Sequence, residues 1–250
     1  MDNVTKAKIN LFAVLRNIQD LCSMDDVSQD LIKNLEISVS FNVPEAGCGA
    51  LIFKDGKCTF VAGKSSAQLK LWFVSPEHFN NLIDGKKTIP LFINVSKVGF
   101  LTGTFTKLTD RLVYFLKPSS PELLQDKKFF EINTTLTAYT AFFAMCEIGN
   151  SDEIGKEVAK RISDGEIACG IPEGLQATIT VKDGHMSAEI AESENPRAMM
   201  YFSDLEFAHD LLNGKTSSYN GLGQGKFLVK GKVDMLDQMS KLLTMVNQYL

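Results

Sequence analysis

The chain of 250 residues is long enough for one or two domains with substantial hydrophobic cores. Hydrophobic residues make up 44% of it and charged residues 22%, which excludes a disordered, collagen-like or fibrous protein. The formal net charge of −4 provides no global attraction to nucleic acid or to an anionic membrane. The five cysteines are widely spread and include no Cys-x-x-Cys pair, so we interpret them as reduced core thiols.

The N-terminal residues 1–10 lack the basic and then apolar pattern of a secretory signal peptide. The most apolar run, Leu136 to Cys146, is short and rich in threonine, so we do not expect it to span a bilayer. These features predict a cytoplasmic protein.

An internal repeat organises the chain. Val43-Pro44-Glu45 is matched by Ile171-Pro172-Glu173, 128 positions later. Three more landmarks follow in the same order at an offset of 128 or 129 positions: Lys54-Asp55-Gly56 with Lys182-Asp183-Gly184, Phe73 to Lys86 with Phe202 to Lys215, and Gly103 with Gly231. We interpret the pattern as a duplication. The alternative is one α+β domain whose Asp-Gly turns happen to be regularly spaced.

The boundary between the two copies is predicted at Lys117-Pro118-Ser119-Ser120-Pro121. Two prolines and two serines end the preceding structure there and favour an extended connector. The predicted units are therefore residues 1–118 and 119–250.

Each unit is predicted to begin with helical structure and to continue with a β-hairpin. Apolar residues recur at helical spacing from Ile9 to Leu21 and from Leu123 to Ile148. Alternating strands then flank an Asp-Gly turn. The predicted strands are Glu36 to Phe41, Ala50 to Phe53 and Cys58 to Ala62 in the first unit, and Ala177 to Val181 and Met186 to Ile190 in the second.

A third strand is predicted to lead into a helix. The strand covers Leu69 to Val74 or Ala198 to Phe202, and the helix begins at Ser75 in the first unit and at Ser203 or Asp204 in the second. Gly85 and Gly214 are expected to end the two helices, because glycine accepts the left-handed conformation of a helix C-terminus.

The last predicted elements are a strand and an amphipathic terminal helix. In the strand Phe227 to Val233, outward Lys230 and Lys232 would turn Phe227, Val229 and Val233 inward, and Gly99, Leu101 and Phe105 are the corresponding residues of the first unit. The terminal helix runs from Met235 to Leu250, and a shorter one from Leu108 to Leu116.

This order of elements resembles the sterol-carrier-protein domain of the non-specific lipid-transfer type. The resemblance is strongest over Phe202 to Met239, which contains Leu-Leu-Asn-Gly-Lys and the stretch Gly225 to Gly231. Together with the repeat, it implies an α+β fold of two tandem units, each a largely antiparallel five-stranded sheet with helices on one face, although members of this family typically have a single such domain. It also implies an apolar tunnel for fatty acyl chains, sterols or similar lipids.

The distribution of large side chains indicates which unit holds a ligand. Of 17 phenylalanines 14 lie before residue 150, whereas six of nine methionines lie from Met186 onward. Since methionine adapts to irregular surroundings, we expect the roomier cavity in the second unit and phenylalanines plugging the first. The alternative is that methionine only fills gaps in the core. The predicted ligand-binding residues are Met199, Tyr201, Leu211, Phe227, Val229, Met235 and Met239.

Catalytic and metal-binding motifs are not found in the sequence. His78 and His209 do not align between the copies and are interpreted as solvated helix-surface residues. The glycines of residues 221–226 fit no phosphate-loop spacing and are interpreted as a flexible connector or a cavity rim. Asp25-Asp26 and Asp152-Glu153 lie near expected helix starts, where they complement the helix dipole.

The sequence therefore predicts non-catalytic binding, with possible transfer, of a lipid or another apolar small molecule. No cofactor, metal or nucleic acid is expected, and contact with a membrane would be at most transient. The oligomeric state is left open. The alternative is a protein-interaction or regulatory module with filled cavities, and an enzyme acting on lipidic substrates is the least favoured function.

Overall fold

The structure, a computed structural model, describes residues 2–93 and 97–250. The chain divides into two compact units, Met1–Leu136 and Thr137–Leu250. The division falls within a helix of 25 residues, Lys127–Ser151, and not at the connector before it. The assignment of domains to residues 1–118 and 119–250 thus stays a prediction, and the units below are those of the structure.

The first unit begins with helices and continues into a sheet. Its helical segments are α1 (Asn3–Ile9), a π-helical segment (Asn10–Leu15), α2 (Asn17–Met24), α3 (Asp26–Ile32), α4 (Pro76–Ile83), α5 (Val98–Phe100), a second π-helical segment (Leu101–Phe105), α6 (Thr106–Leu116) and a 3-10 turn (Pro121–Gln125). Its strands are β1 (Ile37–Val43), β2 (Gly47–Lys54), β3 (Lys57–Ala62), β4 (Leu69–Trp72) and β5 (Leu91–Ile93).

The second unit repeats this order around the second half of α7 (Lys127–Ser151). Its other helices are α8 (Glu153–Ala159), α9 (Leu205–Leu212), α10 (Ser218–Gly223) and α11 (Val233–Tyr249). Its strands are β6 (Gly165–Gly170), β7 (Gln176–Lys182), β8 (His185–Glu189), β9 (Ala198–Phe202) and β10 (Phe227–Gly231). In the described part of the chain, no helix combines the length and the apolar character needed to cross a bilayer.

Both units contain a mixed five-stranded sheet. The strand order is β3-β2-β1-β4-β5 in the first and β8-β7-β6-β9-β10 in the second. The central pairs β1/β4 and β6/β9 are parallel, and the other pairs are antiparallel. The predicted α+β class with five strands in each unit is confirmed, and the sheets are mixed because each contains one parallel pair.

The registers of β1/β2 and β6/β7 correspond residue by residue. Ile37 pairs with Phe53 in the first sheet, and Gly165 pairs with Val181, both 128 positions later, in the second. The turns match as well, since Glu45 and Glu173 have φ angles of 62° and 61°. The two units therefore share their strand order and also the backbone conformations of individual turn residues.

The predicted Asp-Gly hairpins and the predicted boundaries of α4 and α9 are confirmed. Lys54 pairs with Lys57 across Asp55 and Gly56, whose φ angles of 51° and 68° suit a tight two-residue turn. Ser75 accepts a hydrogen bond from the backbone N–H of His78 at the start of α4, and Asp204 accepts one from Phe207 at the start of α9. Gly85 and Gly214 follow the ends of these helices with φ angles of 75° and 69°.

The core of the first unit lies between the helices and one face of the sheet, which we call its inner face. Val39, Phe41 and Leu71 project from this face and are buried together with Leu11 and Leu108 of the helical segments. The opposite face carries Ser38, Lys70 and Trp72, in agreement with the two-residue alternation of a strand. In the second unit, α9 and α11 pack against β9, and α11 also packs against β10 and α8.

The strand expected to contain Gly99, Leu101 and Phe105 is helical, so this prediction is wrong. Residues 98–116 continue through α5, a π-helical segment and α6, and the strand that pairs with β4 is Leu91–Ile93. Leu101, Phe105 and Leu108 follow one another at spacings of four and three, which places them on one side of a helix. The match of Gly103 with Gly231 was therefore a coincidence of composition.

Val233 was also placed wrongly. Strand β10 ends at Gly231, whose φ of 82° turns the chain, and Val233 begins α11 with 60% of its surface exposed. Phe227 is buried and Val229 half-buried on the same face of β10, as predicted. The residues after Gly225 thus form a shorter strand than the alternation suggested, because the positive φ of Gly231 ends the extended conformation.

Candidate functional site

An apolar cavity of about 480 Å³ lies in the first unit on the inner face of the sheet. Phe41, Leu71 and Phe92 line it from the strands. Most of the other apolar lining residues lie in α4, in the first π-helical segment and in the helical run 98–116. They are Val14, Leu15, Phe79, Leu82, Ile83, Val98, Leu101, Phe105, Leu112 and Val113. The cavity is thus enclosed by a sheet face and by three sets of helices.

The helical run 98–116 forms one wall of the cavity through its apolar side. Leu108, Leu112 and Phe115 are buried deeply against the core. Phe105 and Leu101, about one and two turns before Leu108, are only half-buried and line the cavity. The ring of Phe105 lies 5.8 Å from that of Phe41 on the sheet, so aromatic rings border the space without closing it.

The threonine hydroxyls of the lining are hydrogen-bonded within the helical run. Thr106 donates to the carbonyl of Leu101 at 2.8 Å, and Thr109 donates to that of Thr106 at 2.8 Å. Thr102 donates to the carbonyl of Val98 at 3.3 Å. The hydroxyl hydrogens of these three threonines are therefore already used in hydrogen bonds to the backbone. Asp110 is the ionisable residue of the lining. The wall therefore presents mainly carbon surface.

The mouth of the cavity exposes apolar side chains to solvent. Ile89 and Val113 both line the cavity, and they are 79% and 55% exposed. Phe92 of β5 lines it as well and is partly exposed. Exposed residues of this size next to an apolar cavity mark a surface that a ligand or partner can cover.

A second cleft of the first unit, of about 780 Å³, is polar. Gln19, Asp20, Lys33, Lys57 and Cys58 are among its lining residues. The hydrogen bond with Cys22 and burial raise the pKa of the Cys58 thiol, so this thiol is protonated at neutral pH and is a poor nucleophile. In the described residues no group of three or more His, Cys, Asp or Glu side chains could hold a metal ion. Most of the side chains that line the cleft are polar or charged.

The second unit has a smaller pocket of about 180 Å³ between its sheet and helices. Met200, Phe202 and Phe227 line it from the strands, and Leu243 and Val246 line it from α11. The rings of Phe202 and Phe227 stack beside this pocket, with their centroids 5.8 Å apart and an angle of 17° between their planes. Of these two apolar pockets, the one in the first unit is the larger, contrary to expectation.

Two of the seven predicted ligand-binding residues, Leu211 and Phe227, line the pocket of the second unit. Met199 and Tyr201 lie on the other face of β9 from Met200, which does line it, because successive side chains of a strand alternate. The pairing of Met200 with Val229 shows which residues of β9 face the helices, and composition alone could not decide this. The ligand-binding role of the seven residues stays a prediction.

Met235 and Met239 of α11 are fully buried in the second unit and line neither of the pockets described above. They occupy interior space, which agrees with the alternative that methionine fills gaps in the core. In the first unit the phenylalanines line the cavity rather than plug it, because Phe105 is on a helix and not on the expected strand. The distribution of Phe and Met was thus a poor guide to free volume.

His209 was also placed wrongly, because it is 4% exposed rather than solvated. Burial lowers its pKa, although Asp210 lies 3.3 Å from its Nδ1 and acts in the opposite direction. His78 is half-buried, and its Nδ1 accepts a hydrogen bond from the N–H of Val74. Residues 218–223, expected in part as a flexible connector, form helix α10.

Solved structures similar to parts of this chain include sterol carrier protein domains. The sterol carrier protein domain 2 of Helicoverpa armigera is 17% identical and covers 45% of this chain and 89% of its own, with a TM-score of 0.36. Sterol carrier protein 2 like 2 from Aedes aegypti is 14% identical and covers 42% and 95%, with a TM-score of 0.30.

A stereoselective inverting sec-alkylsulfatase from Pseudomonas sp. is also similar over part of its length. It is 9% identical and covers 58% of this chain and 28% of its own, with a TM-score of 0.27. No protein-family model matches the chain, and no curated protein matches it in sequence. These identities and TM-scores are too low to assign a function.

Proposed function

We propose that the chain binds a lipid or another apolar small molecule in the cavity of the first unit, without catalysis. The observation that carries the proposal is an apolar space of about 480 Å³ lined by Phe41, Leu71, Leu101 and Phe105. Small-molecule sites have volumes of roughly 300 to 1,000 Å³ and mainly hydrophobic walls. The hydroxyls of the wall are bonded to its own backbone, which favours a ligand recognised by shape and apolar area.

The hydrophobic effect is sufficient to retain such a ligand. Each methylene that leaves water contributes about 0.8 kcal/mol, so a chain of about 16 carbons gains roughly 12 kcal/mol. A bilayer offers nearly the same gain, and a carrier therefore needs only comparable affinity and a route for release. The proposal therefore includes transfer of the bound lipid between membranes.

We further propose that the two units are tandem copies of a sterol-carrier-like domain. Their common strand order, the offset of 128 positions in the registers of β1/β2 and β6/β7, and the matching φ angles of Glu45 and Glu173 support a duplication. The cavities have diverged, since Phe202 and Phe227 stack where the second unit would otherwise have space. On this proposal, one ligand binds per chain.

Replacing Leu101 with tryptophan is expected to weaken ligand uptake at least tenfold. The indole ring would occupy cavity volume at a half-buried position where the helix can accept a larger side chain. Displacement of a fluorescent fatty acid measures the affinity. Leu211→Trp, which fills the pocket of the second unit, is the matched control and is expected to leave uptake unchanged.

The reverse result, loss of uptake in Leu211→Trp alone, would move the site to the second unit with Leu211 and Phe227. Native mass spectrometry of protein purified without detergent, followed by solvent extraction, tests the proposal independently of any chosen probe. A protein that contains no extractable lipid and does not bind the fluorescent fatty acid would contradict ligand binding. It would favour a protein-interaction or regulatory module.

A further inference from the structure

We infer that the edge of the first sheet at β5, next to the mouth of the first-unit cavity, is a docking surface for an anionic lipid bilayer. The surface, called the rim here, consists of the apolar residues Trp72, Ile89, Leu91 and Val113 and of the three lysines Lys86, Lys87 and Lys97. The inference concerns a partner of the whole protein and does not depend on which ligand, if any, occupies the cavity.

Strand pairing brings two large exposed side chains of the rim together. Leu91 of β5 pairs with Trp72 of β4, and both point away from the inner face, since Phe92 and Leu71 next to them line the cavity. Trp72 is 46% exposed and Leu91 64%. A large aromatic and a large aliphatic side chain thus lie side by side in solvent beside the edge strand.

The apolar part of the rim continues onto the cavity mouth. Ile89 is two residues before Leu91 and lines the mouth, and Val113 lines it from α6. Both are mostly exposed. The apolar side chains on the outer face of β4 and β5 are therefore joined to the cavity mouth along the chain, through residues 89–91 beside the edge strand.

The lysines of the rim give this apolar surface a positive border. Lys86 and Lys87 are exposed and lie between Gly85 and Thr88, which both line the cavity. Lys97 is exposed and precedes Val98 of the lining. The nearby carboxylate of Asp84 is held by Lys6 at 2.8 Å. The three lysines outnumber the acidic group of the lining, Asp110.

This combination fits a bilayer better than a protein partner. Lysine is depleted in protein interfaces, whereas tryptophan and lysine are both favoured at the membrane surface. The ammonium groups would contact anionic headgroups while their stems and the exposed Trp72 and Leu91 reach the acyl boundary. Each lysine near an anionic surface contributes about 1 kcal/mol, so the interaction is reversible and sensitive to salt.

Trp72 is the one tryptophan of the chain and makes the inference directly testable. Vesicles of phosphatidylcholine with 30% phosphatidylglycerol are expected to shift its emission to shorter wavelength, and brominated acyl chains are expected to quench it. Vesicles of phosphatidylcholine alone, or 0.5 M NaCl, should reduce binding at least fivefold. An unchanged emission spectrum with anionic vesicles would overturn the inference.

Variants separate the apolar and the charged parts of the rim. Leu91→Asp and the double variant Lys86→Glu/Lys87→Glu are each expected to weaken cosedimentation with anionic vesicles about tenfold. The matched control for charge is Lys54→Glu/Lys57→Glu, at the exposed hairpin of the same unit, and the control for the apolar change is Ile154→Asp on α8. If the rim variants and the controls lose binding equally, the docking surface is not the rim.

Ligand uptake distinguishes this inference from the proposed function. Leu91 and the two lysines do not line the cavity, so their variants should take up fluorescent fatty acid delivered without vesicles as the wild type does. Leu101→Trp should bind vesicles normally by cosedimentation while taking up less ligand. Dimerisation of the wild type at rising concentration, with no binding to vesicles, would identify a second copy as the occupant and contradict the bilayer.

Discussion

Replacing Asp25 with alanine is expected to lower the free energy of unfolding by about 3 kcal/mol. Asp25 is a buried carboxylate that accepts two hydrogen bonds from Arg111, at 2.6 and 3.1 Å, and caps α3 through the N–H of Ser28 at 3.0 Å. Its removal leaves the guanidinium without its carboxylate against the rings of Tyr114 and Phe115. Unfolding in urea, followed by circular dichroism, measures the change.

Asp152 provides a matched control, because it caps α8 as Asp25 caps α3 but binds a neutral partner. It accepts hydrogen bonds from the N–H of Gly155 at 2.9 Å and from the hydroxyl of Tyr249 at 2.6 Å. Asp152→Ala is expected to cost about 1 to 2 kcal/mol, which is the loss of a cap and a hydrogen bond. Equal losses in Asp25→Ala and Asp152→Ala would show that the ion pair with Arg111 adds nothing to the cap.

Asp25 should also make stability depend on pH in the acid range. Burial acts to raise the pKa of this carboxyl, but the hydrogen bonds from Arg111 and Ser28 outweigh it, so the pKa in the folded protein is lowered. A lowered pKa stabilises the folded state above the unfolded value of about 3.9, and this contribution disappears as the pH falls through the folded value.

Asp25→Asn is the variant that tests this dependence. The wild type should exceed it in stability by a constant amount between pH 7 and pH 5, and the difference should shrink below about pH 4. Urea midpoints at several pH values measure the difference. A gap that stays constant down to pH 3 would mean that the Asp25 carboxylate is not the titrating group.

The sequence predicted those features of the fold that depend on backbone conformation in short segments. Asp55-Gly56 requires positive φ angles at both residues and therefore forms a two-residue hairpin wherever alternating strands flank it. Ser75 and Gly85 satisfy the free N–H and C=O groups at the two ends of α4, so they mark its length. These signals recur in the second unit, which is why the repeat was visible without any structure.

The location of the cavity could not be predicted, because it depends on how far elements lie from one another. Residues 98–116 contain several threonines, which favour a strand locally, and two glycines, which disfavour a helix. Tertiary packing of Leu108, Leu112 and Phe115 against the core nevertheless makes the run helical. That change moves Leu101 and Phe105 from a sheet to a wall facing it. The cavity then lies between the sheet and the helical run, and the amino-acid composition does not determine the distance between these two surfaces.

The phase of β9 shows a second limit of the sequence. Its residues Ala198–Phe202 are all apolar, so alternation of polar and apolar side chains cannot indicate which residues face inward. The pairing of Met200 with Val229 and of Phe202 with Phe227 decides the phase. The predicted site therefore contains Met199 and Tyr201, which neighbour Met200 in sequence but point to the opposite face of β9.

Replacing Gly170 with alanine is expected to destabilise the second unit by at least about 3 kcal/mol. Gly170 ends β6 with a φ of 130°, a conformation that residues with a side chain rarely adopt. A Cβ atom there would lie 2.0 Å from the carbonyl oxygen of Leu175 and 2.9 Å from Cα of Gln176, which pairs with Gly170 in the sheet. Since these are backbone atoms, relief requires the turn between β6 and β7 to move.

Two other glycines separate backbone strain from the steric clash. Gly214→Ala keeps a positive φ, of 69°, but meets no atom within 4 Å, so it is expected to cost only about 1 kcal/mol. Gly223→Ala, at the end of α10, meets no atom within 4 Å and has no positive φ, so it should be neutral or slightly stabilising. Thermal and urea unfolding of the three variants should give the order Gly170, Gly214, Gly223 in decreasing loss of stability. A Gly170→Ala protein as stable as Gly214→Ala would show that the β6/β7 turn can relax, and the close approach of Leu175 would then not be what maintains its register.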